Sequence, residues 1–173
     1  TGNNNTGIGN CALLSNTTAD SNTAVGYLAL CANTTGTQNV ALGDTALDAT
    51  TTGSYNTAVG NGALGANTTG ANNVAIGRTA GAANTEGTRN TFVGPSYALG
   101  NGANNTTGYD NTFVGGDTGG ANTTGVQNTL IGAYAGDGIT TGNFNVAIGY
   151  NALTLEDTGG YNVAIGYRAL TSL

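Results

Sequence analysis

Apolar and polar residues follow one short pattern that recurs along the whole chain. In ten places an Asn is followed three residues later by Val, Ile or Leu and then directly by Gly. Eight of the nine spacings between these Asn residues are 17 residues, and the ninth is 21. A fixed period of this length is typical of a solenoid, in which each repeat packs against its neighbours. The Asn residues are Asn5, Asn22, Asn39, Asn56, Asn73, Asn90, Asn111, Asn128, Asn145 and Asn162.

Each repeat, numbered from its Asn as position 1, predicts one short strand followed by turns. Position 2 is Thr or Val, position 4 is Val, Ile or Leu, and position 5 is always Gly. β-Branched residues at alternate positions favour a strand, whereas each Gly would cost about 1 kcal/mol inside a helix. Gly at position 5 and Asn-Thr-Thr at positions 12 to 14 of five repeats favour turns. We therefore predict an all-β chain that forms a parallel β-solenoid of ten 17-residue coils.

Two positions are predicted to form ladders through the stack of coils. Position 4 is aliphatic in every repeat, and we expect it to fill the narrow interior. Position 1 is predicted to form an Asn ladder whose side-chain amides bond one another between coils, as stacked Asn residues do in cross-β arrays. The predicted core ladder is Ile8, Val25, Leu42, Val59, Ile76, Val93, Val114, Ile131, Ile148 and Ile165.

Position 3 points to the opposite side of the strand from positions 2 and 4, yet it is also apolar. A strand face in contact with water is expected to be polar. The row therefore indicates either a contact with other copies of the chain or a second internal layer. We favour the subunit contact, because contiguous apolar patches mark interfaces. The predicted contact residues are Ala24, Ala41, Ala58, Ala75, Phe92, Phe113, Leu130, Ala147 and Ala164.

Residues 1–173 are predicted to form a single repeat array with a four-residue insertion around residues 100–104. Turn-prone residues, among them Gly100, Asn101 and Ala103, predict a loop that bulges from one corner and could contact a ligand. The array starts at position 14 and stops at position 12 of the repeat. We therefore expect either a segment of a longer fibre or subunits that stack head to tail, because an open apolar edge favours pairing.

Composition argues against an enzyme, a cofactor and a nucleic-acid partner. The chain has no His, two Cys, and nine acidic against three basic residues. This excludes His-based catalytic triads and a Cys/His zinc site, and it leaves no cluster of cations for phosphate. The acidic pairs Asp44 with Asp48 and Glu156 with Asp157 are interpreted as solubilising charges. No apolar run is long enough to span a bilayer.

Three groups of residues leave alternatives open. Cys11 and Cys31 are either two buried thiols or a disulfide pair. Exposed Tyr residues at corners either bind glycans or cap the corner with the hydroxyl in water. Asn-Thr-Thr matches the N-glycosylation acceptor pattern, although an Asn- and Thr-rich repeat produces it readily. The corner tyrosines are Tyr27, Tyr55, Tyr150, Tyr161 and Tyr167, and the predicted acceptors are Asn16, Asn33, Asn67, Asn105 and Asn122.

The strings that run from Asn145 to Leu153 and from Asn162 to Leu170 resemble the head repeats of trimeric autotransporter adhesins. They resemble still more the Asn-Thr-Ala-Ile-Gly arrays of bacteriophage tail fibres. The resemblance implies a left-handed parallel β-roll, three chains wound side by side, and a role in attachment. It also implies an extracellular, cell-surface or virion location and a cell-surface glycan or receptor as partner. The repeats of the autotransporter heads are usually a few residues shorter, so the corners here must differ.

The sequence therefore predicts a structural or adhesive fibre segment, with the chain itself as the first partner in a homotrimer. A self-assembling extracellular filament, in which subunits stack end to end, is the alternative. An ice-binding solenoid is a weaker alternative, drawn from the Thr residues at positions 13 and 14. Adjacent residues of an extended strand point to opposite sides, so such a pair cannot face ice together.

Overall fold

The computed structural model describes residues 2–96, 102, 104–155 and 158–171, and it confirms the predicted parallel β-solenoid. Its strands form one ten-stranded sheet in sequence order, and every neighbouring pair is parallel. The strands are β1 Thr6–Ile8, β2 Thr23–Val25, β3 Val40–Leu42, β4 Thr57–Val59, β5 Val74–Ile76, β6 Thr91–Val93, β7 Thr112–Val114, β8 Thr129–Ile131, β9 Val146–Ile148 and β10 Val163–Ile165.

Equal repeat positions lie directly above one another in the sheet. Ala24 pairs with Ala41, and Phe92 pairs with Phe113 although 21 residues separate them. The sheet therefore keeps its register across the 21-residue spacing. Strand exit at position 5 requires Gly, because Gly43 has φ 143° and a Cβ there would lie 2.6 Å from the carbonyl carbon of Gly60.

The four additional residues lie between Ser96 and Gly102. The backbone N–H of Ser96 donates to the Arg78 carbonyl, as position 7 does in other coils, and Gly102 donates to the Thr118 carbonyl, as position 9 does. Gly102 and Asn104 therefore occupy ordinary positions 9 and 11 of the repeat, which corrects the predicted boundaries of 100–104. Gly100, Asn101 and Ala103 of the predicted loop lie outside the described residues.

The assignment of position 4 to the core is wrong, because its side chains point outward. Exposed fractions are 61% for Ile8, 43% for Ile76 and 66% for Ile165. Positions 2 and 4 share one side of a three-residue strand, and the residue between them points into the coil. The residues corrected are Ile8, Val25, Leu42, Val59, Ile76, Val93, Val114, Ile131, Ile148 and Ile165, all of which are exposed or half-buried.

The assignment of position 3 to a subunit contact is also wrong, since these side chains are buried within their own chain. The alternative, an internal layer, describes them correctly. They pack with the residues at positions 8 and 9, such as Ala29 and Leu30, to form the core. The residues corrected are Ala24, Ala41, Ala58, Ala75, Phe92, Phe113, Leu130, Ala147 and Ala164, each at most 1% exposed.

Large and small residues alternate between positions 3 and 9 so that the core stays filled. Where position 3 is Ala, position 9 is commonly Leu, as in the pair Ala24 and Leu30. Around Phe92 and Phe113, position 9 is Gly, and a Cβ on Gly81 would lie 2.5 Å from Phe92 Cδ2. The two Phe rings meet edge to face, with centroids 5.8 Å apart. The core therefore keeps its density by exchanging volume across the coil.

Candidate interaction surface

The outer face of the sheet, formed by positions 2 and 4 of all ten strands, carries a continuous row of exposed or half-buried aliphatic side chains. No charged residue occurs at either position in any repeat. Nine of the ten residues at position 4 are Val or Ile, and position 2 is Thr in six strands and Val in four. Contiguous apolar patches of this kind mark interaction sites on soluble proteins. The outer face is therefore the site with the strongest physical signal for binding.

The Asn ladder at position 1 is confirmed, and its bonding fixes the coil register beneath the outer face. The backbone N–H of Asn22 donates to Asn5 Oδ1 at 2.8 Å, and Asn22 Nδ2 donates to the Gly36 carbonyl at 2.9 Å. The predicted amide–amide bond occurs in some coils, for example from Asn56 Nδ2 to Asn39 Oδ1 at 3.2 Å. The backbone bond recurs in every coil from the second to the tenth.

A second, inner Asn ladder lies at position 12, and of the two interpretations of Asn-Thr-Thr it favours a feature of the repeat over a glycosylation site. Asn33 Nδ2 donates to the Gly36 carbonyl at 2.9 Å and to Asn16 Oδ1 at 3.2 Å. A glycan would replace a hydrogen on this nitrogen and place a sugar inside the solenoid. Four of the predicted acceptors, Asn33, Asn67, Asn105 and Asn122, are fully buried, and the half-buried Asn16 donates to the Ala19 carbonyl.

Position 13 adds a ladder of hydroxyl bonds along the corner that follows the inner Asn ladder. Thr34 Oγ1 donates to the Thr51 carbonyl at 3.0 Å, and Thr51 Oγ1 donates to the Thr68 carbonyl at 3.2 Å. Thr35 and Thr52, at position 14, are exposed instead. The two threonines of a pair therefore have different environments, which gives no flat row of paired hydroxyls at positions 13 and 14.

Aromatic side chains flank the outer face at β9 and β10. Phe144 and Tyr161 precede these strands at position 17, and their rings stack with centroids 4.8 Å apart. Tyr150 and Tyr167 follow the strands at position 6 and stack at 5.6 Å. Tyr134 adds an edge-to-face contact to Tyr150 at 5.9 Å. All five rings are at least 40% exposed, so the outer face is bordered here by two accessible aromatic columns.

The corner tyrosines named from the sequence are exposed in the structure, including Tyr27 and Tyr55, each at 54%. This placement fits both interpretations, glycan binding and corner capping. The position-17 corners carry a second kind of contact in the middle of the array. There Arg89 Nε donates to Asp110 Oδ1 at 2.6 Å, and the Arg89 guanidinium holds the pKa of Asp110 below its usual value.

Titratable groups do not assemble into a reactive site among the described residues. Cys11 and Cys31 are half-exposed thiols, so the structure matches neither the disulfide nor the buried pair. Burial raises the pKa of Cys31, and the nearby Cys11 raises it further. Burial likewise raises the pKa of Asp48, with a smaller contribution from Asp44. Glu156 and Asp157 lie outside the residues that the structure describes.

The described part of the chain also lacks the usual marks of a metal or small-molecule site. No group of three or more His, Cys, Asp or Glu residues converges there, and its surface contains no pocket. Within the same ranges, no helix has the length and apolar character needed to cross a bilayer.

No protein-family model matches the chain, and searches of curated proteins and of solved structures find no significant match.

Proposed function

We propose that this chain is a structural segment of an attachment fibre, of the phage tail-fibre or bacterial surface-adhesin type. Copies of the solenoid pack side by side through the outer face, and the observation that carries this proposal is the uncharged apolar character of that face. It runs unbroken from β1 to β10. The contact therefore moves from position 3, where the sequence placed it, to positions 2 and 4.

The size of the outer face supports a lasting contact. Ten rungs spaced about 4.8 Å apart give a length of about 43 Å. The six steps from position 17 to position 6, which include the aromatic and polar residues that border the face, give a width of about 20 Å. The resulting area of about 860 Å² per copy reaches the roughly 800 Å² per partner of a standard protein interface. Burying it would remove the exposed fractions of Leu42, Ile76 and Ile131, which are 47%, 43% and 37%.

A second copy of the chain fits this face for two reasons. Two copies have the same rung spacing, so side chains at position 4 can interdigitate along the full length of both solenoids. The face itself is uncharged although the chain carries a net charge of -6, so association brings no like charges into direct contact there. The resemblance to fibre repeats adds three further elements to the proposal. These are a trimer, a left-handed winding, and an extracellular location with a glycan or receptor as partner.

A matched pair of variants tests the proposal. Ile76→Asp places a carboxylate on the outer face, and we expect it to convert an oligomer into a monomer with an unchanged β-sheet circular dichroism spectrum. Thr69→Asp adds the same charge at position 14, outside the face, and we expect it to leave the oligomer intact. Sedimentation velocity measures both. A wild-type chain that sediments as a monomer, or equal behaviour of the two variants, would contradict the proposal.

A second candidate function, ice binding, is favoured by one observation on the same face. Position 2 is Thr in six of ten strands, and these hydroxyls lie beside the methyl groups of position 4 on a regular sheet. The candidate ice-binding residues are therefore the threonines at position 2 and no longer the Thr pairs at positions 13 and 14. Thermal hysteresis of the wild-type protein tests it, with Thr91→Lys as the disrupted variant. The filament alternative predicts open polymers in sedimentation instead of one defined oligomer.

A further inference from the structure

Two columns of residues, at positions 17 and 6 of the repeat, border the outer face. Their residues differ from strand to strand, so they can distinguish a parallel from an antiparallel neighbour. Position 17 lies two residues before the first residue of each strand, and position 6 lies two residues after its last, so every strand is flanked by one residue of each column. At β9 and β10 both columns are aromatic. At β3, by contrast, the corresponding residues are Gln38 and Asp44. Only β9 and β10 have aromatic residues in both columns; nearer the other end an aromatic residue occurs in one column at a time, as Tyr27 does at β2 and Tyr55 at β4.

We infer that neighbouring copies associate in parallel and in register, and that the aromatic residues beside β9 and β10 set this register. The inference rests on the proposed side-by-side association through the outer face. It names which surfaces of the second copy meet which surfaces of the first.

Parallel and antiparallel association bring different columns together. If copies are related by rotation about an axis parallel to the solenoid, position 17 of one copy meets position 6 of the next copy beside the same strand. If the axis is perpendicular to the solenoid, each column meets the same column of the other copy, and β10 lies opposite β1. The two arrangements therefore make different residue pairs from identical surfaces.

Only the parallel arrangement in register pairs aromatic with aromatic residues at both strands. It places Phe144 of one copy opposite Tyr150 of the next, and Tyr161 opposite Tyr167. The antiparallel arrangement keeps one kind of aromatic pair, Tyr150 with Tyr27. It places the other three rings opposite polar residues: Phe144 opposite a Ser, and Tyr161 and Tyr167 each opposite an Asn. Aromatic pairs contribute beyond the area that they bury, and at least 40% of each of these rings is available for a partner. The exposed rings at one end of the array therefore favour the parallel arrangement.

The same columns distinguish two copies that are in register from two copies that are displaced by one coil along the solenoid. A shift in one direction pairs Phe144 with Ala133, and a shift in the other pairs Tyr150 with Gln127. Either shift breaks one of the two aromatic pairs and leaves a ring against a smaller or polar residue. The repeated Thr and Val residues of the outer face cannot select the register, because they recur at every rung. The aromatic residues supply that selection.

Cysteine cross-linking in the full chain tests the inference. In a Cys11→Ser, Cys31→Ser background, Gln127→Cys with Ala133→Cys reports parallel association in register beside β8. Gln127→Cys with Gly116→Cys reports a shift of one rung, and Gly116 accepts the new side chain because its Cβ would lie 3.8 Å from the nearest heavy atom. We expect oxidation to link the first pair into covalent oligomers and to leave the second largely unlinked.

The antiparallel arrangement has its own reporter. Gln38→Cys with Gln127→Cys places cysteines at position 17 beside β3 and β8, which face each other only if the strand order is reversed. We expect this pair to stay unlinked. Efficient linking of this pair, or an oligomeric protein in which none of the pairs link, would overturn the inference.

Removing the aromatic residues tests their role in the register. Tyr161→Ser and Tyr167→Ser are added to the variant that carries Gln127→Cys and Ala133→Cys. We expect disulfide linking to fall about five-fold, because one aromatic pair is lost at each contact. The same two Tyr substitutions should increase disulfide linking in the variant that carries Gln127→Cys and Gly116→Cys. The control is Tyr55→Ser, which removes an exposed Tyr that faces Asn61 in the parallel arrangement. It should leave linking unchanged.

The outcomes separate the inference from the proposed function. Equal linking with and without the aromatic residues would contradict their role, while an oligomeric mass would still support association through the outer face. A wild-type protein of monomeric mass would contradict the proposed function itself.

Discussion

Thr50 stands directly above Asn33 in the inner Asn ladder, and Asn33 Oδ1 has no hydrogen-bond partner among the described residues. Where the ladder continues, the amide of the next coil donates to this oxygen, as Asn84 Nδ2 does to Asn67 Oδ1 at 3.0 Å. Thr50 donates its hydroxyl elsewhere, to the Asn67 carbonyl at 2.9 Å. A buried carbonyl oxygen without a partner costs stability, so the array carries a local defect at this coil.

Thr50→Asn is expected to stabilise the protein by about 1 kcal/mol, because it supplies the missing donor to Asn33. The side chain fits, since Asn occupies the same position in neighbouring coils and Gly53 provides the carbonyl three residues on. Chemical denaturation measures the change. A variant less stable than the wild type would show that the ladder bond does not govern stability here.

Ile139 gives the matched contrast to this variant. It interrupts the same ladder above Asn122, whose Oδ1 also lacks a partner in the described part of the chain. Unlike Thr50, Ile139 fills apolar space: a Cβ on Gly136 would lie 3.0 Å from its Cδ1. Ile139→Asn should therefore destabilise the protein by about 2 kcal/mol despite the restored bond.

The exchange of volume between Phe92 and Gly81 predicts strong coupling between the two residues. Phe92→Ala should cost about 3–5 kcal/mol because it leaves a cavity. Gly81→Leu alone should also destabilise, because its Cβ would lie 2.5 Å from the Phe92 ring. Together they recreate the Ala and Leu pair of neighbouring coils, where Leu64 adopts the left-handed φ of 51°. A double-mutant cycle should show the double variant more stable than Phe92→Ala, and additive losses would contradict the packing account.

The inside and outside of the strand are tested by two adjacent residues. Ala75 is fully buried and Ile76 is 43% exposed. Ala75→Asp should lower the melting temperature sharply, because a buried carboxylate without a partner costs several kcal/mol. Ile76→Asp should lower the melting temperature far less, because its carboxylate stays in water and only the stability contributed by association is lost. The reverse order in thermal melts would restore position 4 to the core.

Asp137 predicts a pH dependence of stability with a defined sign. Burial raises the pKa of Asp137 in the folded chain, and the charge of Asp117 raises it further. The folded state therefore binds this proton more tightly than the unfolded state does, and the associated stability is present at low pH and lost as pH rises through the folded pKa. Asp137→Asn should be more stable than the wild type at neutral pH, and the difference should vanish on acidification. A pH-independent difference in denaturation midpoint would contradict the assignment.

The repeat period made the fold predictable, whereas the direction of each side chain was not. Positions 2, 3 and 4 are all apolar or β-branched in most repeats, as in Val74, Ala75 and Ile76, so no polar alternation marks the inside. A usable signal was present in the exceptions. Phe92 and Phe113 at position 3 coincide with Gly81, Gly102 and Gly119 at position 9, and such compensation occurs between residues that share a core.

The inner Asn ladder was misread for a different reason. An acceptor pattern such as Asn67-Thr68-Thr69 reports local sequence only, whereas burial of Asn67 depends on the coils above and below it. Recurrence of Asn at position 12 through several coils was the signal for a ladder, as it was at position 1. The aromatic columns were also visible as Tyr at positions 6 and 17, but their place beside the outer face required the structure.

Native mass spectrometry of the wild-type chain tests the central claim most directly, because association through the outer face must produce a defined oligomer. The account predicts a trimer of the 16.9 kDa chain that persists at micromolar concentration and dissociates in Ile76→Asp. Detection of only a 16.9 kDa monomer for the wild-type protein under the same conditions would contradict association through the outer face.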